Sequence, residues 1–270
     1  MPQRDYVIEG GRSGKERLGL LSDVFRPTTR RLLDRAGLAP GMACLDLGCG
    51  GGNVTFDMAE RVGPGGSVLG IDFDGTILDL TRADAAARGL ANVELRQGDA
   101  HAPPVDRQFD FVYARFLLTH LPRPEAALSA MVAATRPGGI LAIEDIDFAG
   151  QFCHPRDIAF SAYMRLYDQV ARRSGADPDI GRRLPQMLRA AGIPRVYPRL
   201  IQHVHERGKG KSLSLVTLAR IAPAVIAAGL ATPAEMRGHI DALDAFTRRT
   251  DTMIGLPRVF QVWGVRPGGG

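Results

Sequence analysis

The sequence predicts an α/β fold built on a doubly wound, mostly parallel sheet. Three observations carry this. Five short apolar segments alternate with helix-like patterns over residues 42–147, a glycine-rich turn follows the first of them, and acids sit at the carboxyl ends of several. In an open sheet of this kind, ligands bind in the crevice outside those carboxyl ends.

Ahead of the sheet, residues 1–14 read as irregular, broken by Gly10-Gly11 and Gly14. From Lys15 to Ala36, Leu18, Leu21, Val24, Phe25, Leu32 and Leu33 recur at helical spacing with Pro27 between them. Because proline removes an amide donor and crowds the preceding turn, the pattern predicts two short helices. Gly37 and Pro40-Gly41 end them.

Met42 to Leu47 is the first strand, and Gly48-Cys49-Gly50-Gly51-Gly52 turns it into a helix that opens near Asn53 and runs through about Arg61. Glycines 48, 50 and 52 let a ligand lie against bare main chain, with Asp46 beside it as an acceptor. A dinucleotide fingerprint requires glycine at the sixth position, which here is Asn53. Alternating glycines after an acid suit a ligand without a pyrophosphate.

Ser67 to Asp72 is the second strand, and Asp72 stands about twenty residues past the glycines, the interval for an acid that accepts ribose hydroxyls. Phe73 follows it and offers a ring to a base. A helix from about Thr76 to Arg88 leads to the third strand, Val93–Gln97, which ends in Gly98-Asp99-Ala100. The fourth strand is Phe109–Ala114, followed by Arg115 and, five residues on, His120. A helix over Pro124–Thr135, the turn Arg136-Pro137-Gly138-Gly139 and a fifth strand, Ile140–Ile146, complete the core.

Asp46, Gly48, Gly50 and Gly52 form a D-x-G-x-G-x-G motif. With Asp72, Gly98-Asp99-Ala100, Phe109-Asp110-Phe111-Val112 and Arg136-Pro137-Gly138-Gly139 in register, residues 38–148 resemble the class I S-adenosylmethionine (SAM) dependent methyltransferases. The resemblance implies SAM as cofactor, no metal, and a Rossmann-like sheet of seven strands, the last antiparallel, with helical additions forming a cap. It assigns cofactor binding to Gly48, Gly50, Gly52, Ala100 and Phe73. Asp46 is assigned to the amino group, Asp72 to the ribose and Asp99 to the adenine amino group. By analogy, Tyr6 and Arg17 close over the cofactor.

The remainder is expected to belong to the same single domain, 1–270, with 1–37 as an N-terminal helical cap and 149–270 as substrate-side helices and closing strands. Asp157–Ser174 reads as a helix with Phe160, Tyr163 and Tyr167 on one face, a stripe that suits core or pocket. Ile180–Ala191 is a second helix. Helices over about 212–229 and 232–249 lie between two strand-like stretches, Val196–His205 and Val259–Val265. Thr232-Pro233 begins the last helix as N-cap and N1.

Methyl transfer is an in-line displacement in which alignment supplies about 7–11 kcal/mol, against some 3–5 kcal/mol for one general base. A base is therefore optional. His120 titrates near neutrality and could take a proton. Asp145, near Glu144 and Asp147 at the end of strand five, could orient substrate. Arg115 could meet a carboxylate of either the substrate or the methionine tail. Each has a structural alternative: a backbone-bonded helix residue, a turn cap, or a surface arginine.

With 45% hydrophobic and 23% charged residues, the composition is that of an ordinary globular chain, and no apolar run approaches the roughly 18–20 residues of a membrane helix. The N-terminus shows no leader-like apolar segment, so a cytoplasmic protein with no membrane partner is expected. Cys44, Cys49 and Cys153 lack a metal-ligand spacing; Cys44 reads as core and Cys49 as a filler of the glycine turn. Net charge is +5, but arginines come singly or in pairs with acids between them, which argues for a solvated surface and against nucleic acid. Arg207–Lys211 is expected to be a mobile loop. The expected partners are a small-molecule substrate, of the bacterial secondary-metabolite kind, and a second copy of the chain in a homodimer. RNA methylation and a SAM-binding protein that transfers no methyl remain the alternatives; the first lacks an N-P-P-Y motif after strand four, where Ala114-Arg115-Phe116-Leu117 stands.

Overall fold

A computed structural model describes residues 11–268. The main sheet has seven strands: β1 (Ala43–Leu47), β2 (Ser67–Asp72), β3 (Val93–Gln97), β4 (Phe109–Arg115), β5 (Thr135–Asp147), β7 (Val196–Ile201) and β10 (Arg258–Val265). They lie in the order β3-β2-β1-β4-β5-β10-β7. Only β10 runs against its neighbours, pairing antiparallel with both β5 and β7. The predicted doubly wound, mostly parallel sheet is present.

Side chains alternate across this sheet with the two-residue period of extended backbone. Cys44, Phe111, Tyr113 and Ala142 pack on one face against helix α1 (Gly11–Ala36) and helix α2 (Asn53–Val62). Leu45, Leu47, Val112 and Ile143 pack on the other against α4 (Pro124–Ala134) and α6 (Leu184–Ala190). A third cluster stands over the strand ends. It joins α5 (Ile158–Arg173), α7 (Leu213–Ala227) and α8 (Pro233–Arg248) to Phe25 of α1 and to Phe148.

Several elements differ from expectation for tertiary reasons. Pro27 does not split α1, which runs unbroken from Gly11 to Ala36. Arg26 and Arg30 flank the proline and both grip the buried Asp57 carboxylate of α2, at 2.6 Å each, so the helix is clamped on either side of its weak point. Arg136–Gly139 does not form a separate turn. These residues belong to β5 as a bulge, where the register steps from Phe109↔Thr135 to Phe111↔Ile140. Arg266 tethers the bulge through its backbone pairs with Gly138 and Gly139.

The stretch Val196–His205 is two strands. β7 joins the main sheet, while β8 (Val204–His205) joins a small antiparallel sheet with β6 (Phe152–His154) and β9 (Met253–Gly255). Lys211, expected in a loose loop, is buried, and its Nζ donates to the Arg249 carbonyl. Helix caps fall as the residue types require. Asp74 accepts from Thr76 and Ile77 at the start of α3 (Gly75–Ala87), Asp157 caps α5, and Thr232 with Glu235 forms a full capping box on α8. Among the described residues no helix is long and apolar enough to cross a membrane.

Candidate functional site

One cavity of about 920 Å³ opens between the strand ends and the helical cluster above them. Ligand pockets run from about 300 to 1,000 Å³, so this one stands near the top of that range. Its floor and its roof differ in chemistry.

The floor is main chain and acids. Gly48, Cys49, Gly50 and Gly51 line it after β1, with Asp46, Asp72, Phe73, Asp99 and Ala100 around them. Gly48 holds φ +75°, and a Cβ there would stand 2.9 Å from Leu117 Cδ1. Gly52 has a different task. A Cβ on it would meet Thr81 Cγ2 at 2.5 Å and Phe56 Cζ at 2.7 Å, so its bareness serves helix packing, and it does not line the cavity. This matches the structural use of glycine in such turns rather than the ligand approach expected of Gly52.

The three acids are each pre-set by the backbone. Asp72 accepts from the Gly50 amide at 2.8 Å and from the Asp74 amide at 3.0 Å, so the ribose-interval acid also shapes the glycine turn. Burial pushes its pKa up against those bonds. Asp46 is buried and takes the Thr55 hydroxyl at 2.6 Å; burial raises its pKa to about 6. Asp99 takes the backbone amide of His101 at 2.9 Å and lies 2.7 Å from its Nδ1. Phe73 is 65% exposed and presents its ring at the rim. Cys49 lies against the same acids, and burial pushes its thiol well above the ordinary range, which fits a filler and not a nucleophile.

Of the other expected residues, Arg115 and His120 line the cavity. Arg115 closes β4, donates to Thr29 at 3.2 Å, and lies over the Phe116 ring. Asp145 does not reach the cavity. It is fully buried, accepts from the amides of Thr119 at 3.1 Å and Ile146 at 2.9 Å, and burial raises it to about 7. Its neighbours are also occupied structurally: Glu144 takes Tyr113 at 2.5 Å and Gln261 at 2.8 Å, and Asp147 takes Arg182 and Arg258. Tyr6 lies outside the described residues, as does the side chain of Arg17.

The roof is apolar. Leu21 and Phe25 of α1, Phe148, Tyr163 and Tyr167 of α5, and Leu213 of α7 face it. Phe148 stacks on Tyr167 at 3.9 Å, and Phe25 meets Phe116 edge to face at 5.3 Å. The α5 stripe is thus core on one side and pocket wall on the other, except Phe160, which is core alone. Phe116 holds φ +52°, rare for an aromatic residue, at the point where floor meets roof.

Residues 38–192, more than half of the chain, match the family model for the methyltransferase domain. The chain belongs to this family. The chain is 43% identical over 118 residues to nocamycin O-methyltransferase of Saccharothrix syringae, covering 43% of this chain and 42% of that protein. With aklanonic acid methyltransferase of Streptomyces sp. strain C5 it shares 37% identity over 152 residues, 56% of this chain and 68% of that one. The chain spans about half the length of the first curated relatives it matches. Among solved structures, the YcgJ protein of Bacillus subtilis has the same fold, with a TM-score of 0.58 at 16% identity over 88% of this chain and 97% of that one.

The methyltransferase-domain match takes in the whole floor but stops before α7, so Leu213, Ser214, Thr217, Leu256 and Pro257 come from outside it. Sequence reasoning missed these residues and Gln151. No local signal marks them, because only the tertiary fold brings these separate segments to one cavity. Among the described residues no cluster suits a metal ion.

Proposed function

We propose that this protein transfers a methyl group from SAM to a small-molecule acceptor held under the helical roof. The observation that carries this reading is a single cavity whose floor suits a zwitterionic nucleoside and whose roof suits an apolar molecule. The donor set fits the cofactor. Each carboxylate has about four lone-pair sites, so Asp72, with two taken by backbone amides, keeps capacity for two ribose hydroxyls. Asp46 would hold the amino group, Asp99 the adenine amino group, Phe73 the adenine face, and Arg115 the carboxylate. The bare turn at Gly48 and Gly50 admits the ligand against main chain.

When bound, SAM supplies an electrophilic methyl group on a sulfonium. The protein's part is then to align the acceptor and exclude water, which the enclosed aromatic roof supports. His120, at the junction, is placed to take the acceptor's proton where the acceptor is a hydroxyl or amine.

Calorimetric titration with SAM tests the reading. Saturable one-site heat is expected with the parent protein, and Asp72→Ala should weaken binding about 10–100-fold, the worth of hydrogen bonds to a charged group. Absence of heat with the parent protein overturns it.

A further inference from the structure

Among the described residues, two buried polar side chains under the roof have no hydrogen-bond partner. Gln151 is 8% exposed, and both its Oε1 and Nε2 are buried without a hydrogen bond. Ser214 is 1% exposed, and its Oγ is likewise unpaired. Both residues line the cavity. An unsatisfied buried amide or hydroxyl costs about 1–3 kcal/mol, so two in one cavity are a standing expense unless something enters to meet them.

Gln151 is also held in place. Its backbone N–H donates to the Phe148 carbonyl at 3.1 Å, closing the short turn Phe148–Gly150. Gln202 reaches across to the Gly150 carbonyl at 2.8 Å and the Leu256 carbonyl at 3.0 Å, tying the turn to the opposite wall. A Cβ on Gly150 would collide with Arg258. The backbone is thus fixed on three sides, while the carboxamide it carries is left with nothing to bind.

We infer that Gln151 and Ser214 are specificity-determining residues for the acceptor, which is a neutral, ring-bearing apolar molecule with a carbonyl and an adjacent O–H or N–H donor. This rests on the methyl-transfer reading for the identity of the neighbouring ligand. A carboxamide offers one donor and one acceptor side by side, and the group that satisfies both presents the complementary pair. The group is neutral because the described residues lining the cavity from α1, α5, α7 and positions 146–151 and 256–257 carry no formal charge. With Arg115 assigned to the cofactor's carboxylate, an anionic acceptor would lose its hydration there for no further arginine or lysine among the described lining residues. The rings of Phe148, Tyr163 and Tyr167 provide the surface for the acceptor's apolar body.

The test uses the full-length protein saturated with S-adenosylhomocysteine and two fluorescent probes, 2-naphthamide and 2-methylnaphthalene. The first carries the donor–acceptor pair and the second does not. The parent protein should bind the amide at least about tenfold more tightly, and Gln151→Leu should erase that preference. Ser214→Ala should reduce affinity for the amide about two- to fivefold. Thermal midpoints should stay level or rise in Gln151→Leu, since an unpaired buried amide is replaced by an apolar group of similar size. Equal or absent binding of the two probes by the parent overturns the inference. So does a Gln151→Leu protein that keeps the preference or melts several degrees lower, which would reveal a structural carboxamide. S-adenosylhomocysteine titrated alone separates the outcomes: if it fails to bind, the methyl-transfer reading falls, whereas a bound homocysteine product with no probe preference sinks only the acceptor site.

Discussion

The floor and the roof of the cavity are built on opposite terms. On the floor, polar groups are already bonded to the chain. Asp72 holds two backbone amides, Asp46 a hydroxyl and Asp99 the His101 amide. The roof is mostly rings, and two of its buried polar side chains, Gln151 and Ser214, have no hydrogen-bond partner among the described residues. The floor comes from consecutive loops of one sheet, and the roof from α1, α5, α7 and two turns far apart in sequence. A floor that satisfies itself stays formed without ligand. A roof that does not is specified by the ligand it receives. Perturbing one while sparing the other tests this division.

The largest effect is expected where the roof is fastened to the sheet. Asp147 ends β5, is fully buried, and grips Arg182 and Arg258 immediately before the turn that carries Gln151. Replacing both arginines by methionine leaves a buried carboxylate unpaired, which costs about 3–5 kcal/mol. Chemical denaturation of the double variant should show that loss. Under native conditions its preference for 2-naphthamide should weaken, while its affinity for S-adenosylhomocysteine should persist. Equal loss of both affinities would mean that floor and roof form one unit.

Within the floor, two glycines that look alike in the motif should separate. Gly52→Ala forces a left-handed residue with its Cβ 2.5 Å from Thr81 and 2.7 Å from Phe56, and overpacking with αL strain should destabilise it by about 2–4 kcal/mol. Gly48→Ala carries the same left-handed strain, but its Cβ meets only the flexible tip of Leu117, at 2.9 Å. Its larger effect should be on S-adenosylhomocysteine binding, measured by calorimetry, with the smaller shift in melting midpoint. The reverse ranking would return Gly52 to the ligand.

This contrast also explains what could be read from the chain. The mostly parallel sheet and the acids at strand ends 46, 72 and 99 were legible because they follow from local rules, namely alternation, turn glycines and strand ends. The reversed last strand was implied only by the family resemblance. Pro27 misled because a local breaker was overruled by the Asp57 clamp, which lies 31 residues from Arg26 and 27 from Arg30 in the sequence. Asp145 misled for a related reason. Its position at a strand end is that of a ligand-facing acid, but it is buried away from the cavity and occupied by the Thr119 and Ile146 amides. Gln151 and Ser214 were invisible because neither a glutamine after a turn nor a serine in a helix has a pattern. Their burial exists only once the chain has folded around the cavity they line.

The smallest effect concerns Asp46, and its sign follows from burial. Burial lifts its pKa to about 6, the Thr55 hydroxyl opposing this only in part. The folded value lies above the unfolded value of about 3.9, so the charged form is the less stable one in the folded state. The contribution of this group to stability is therefore greatest below the unfolded value and is lost as pH rises through about 6. Binding should run the other way. A cationic amino group beside Asp46 favours the carboxylate, so acidification opposes the ligand while it favours the fold. Affinity for S-adenosylhomocysteine should drop about tenfold between pH 7 and pH 5, with proton release on binding near pH 6. Calorimetry in buffers of different ionisation enthalpy reads both. Asp46→Asn should flatten the profile and remove the proton release. A parent protein whose affinity ignores pH across that range would place the amino group elsewhere on the floor.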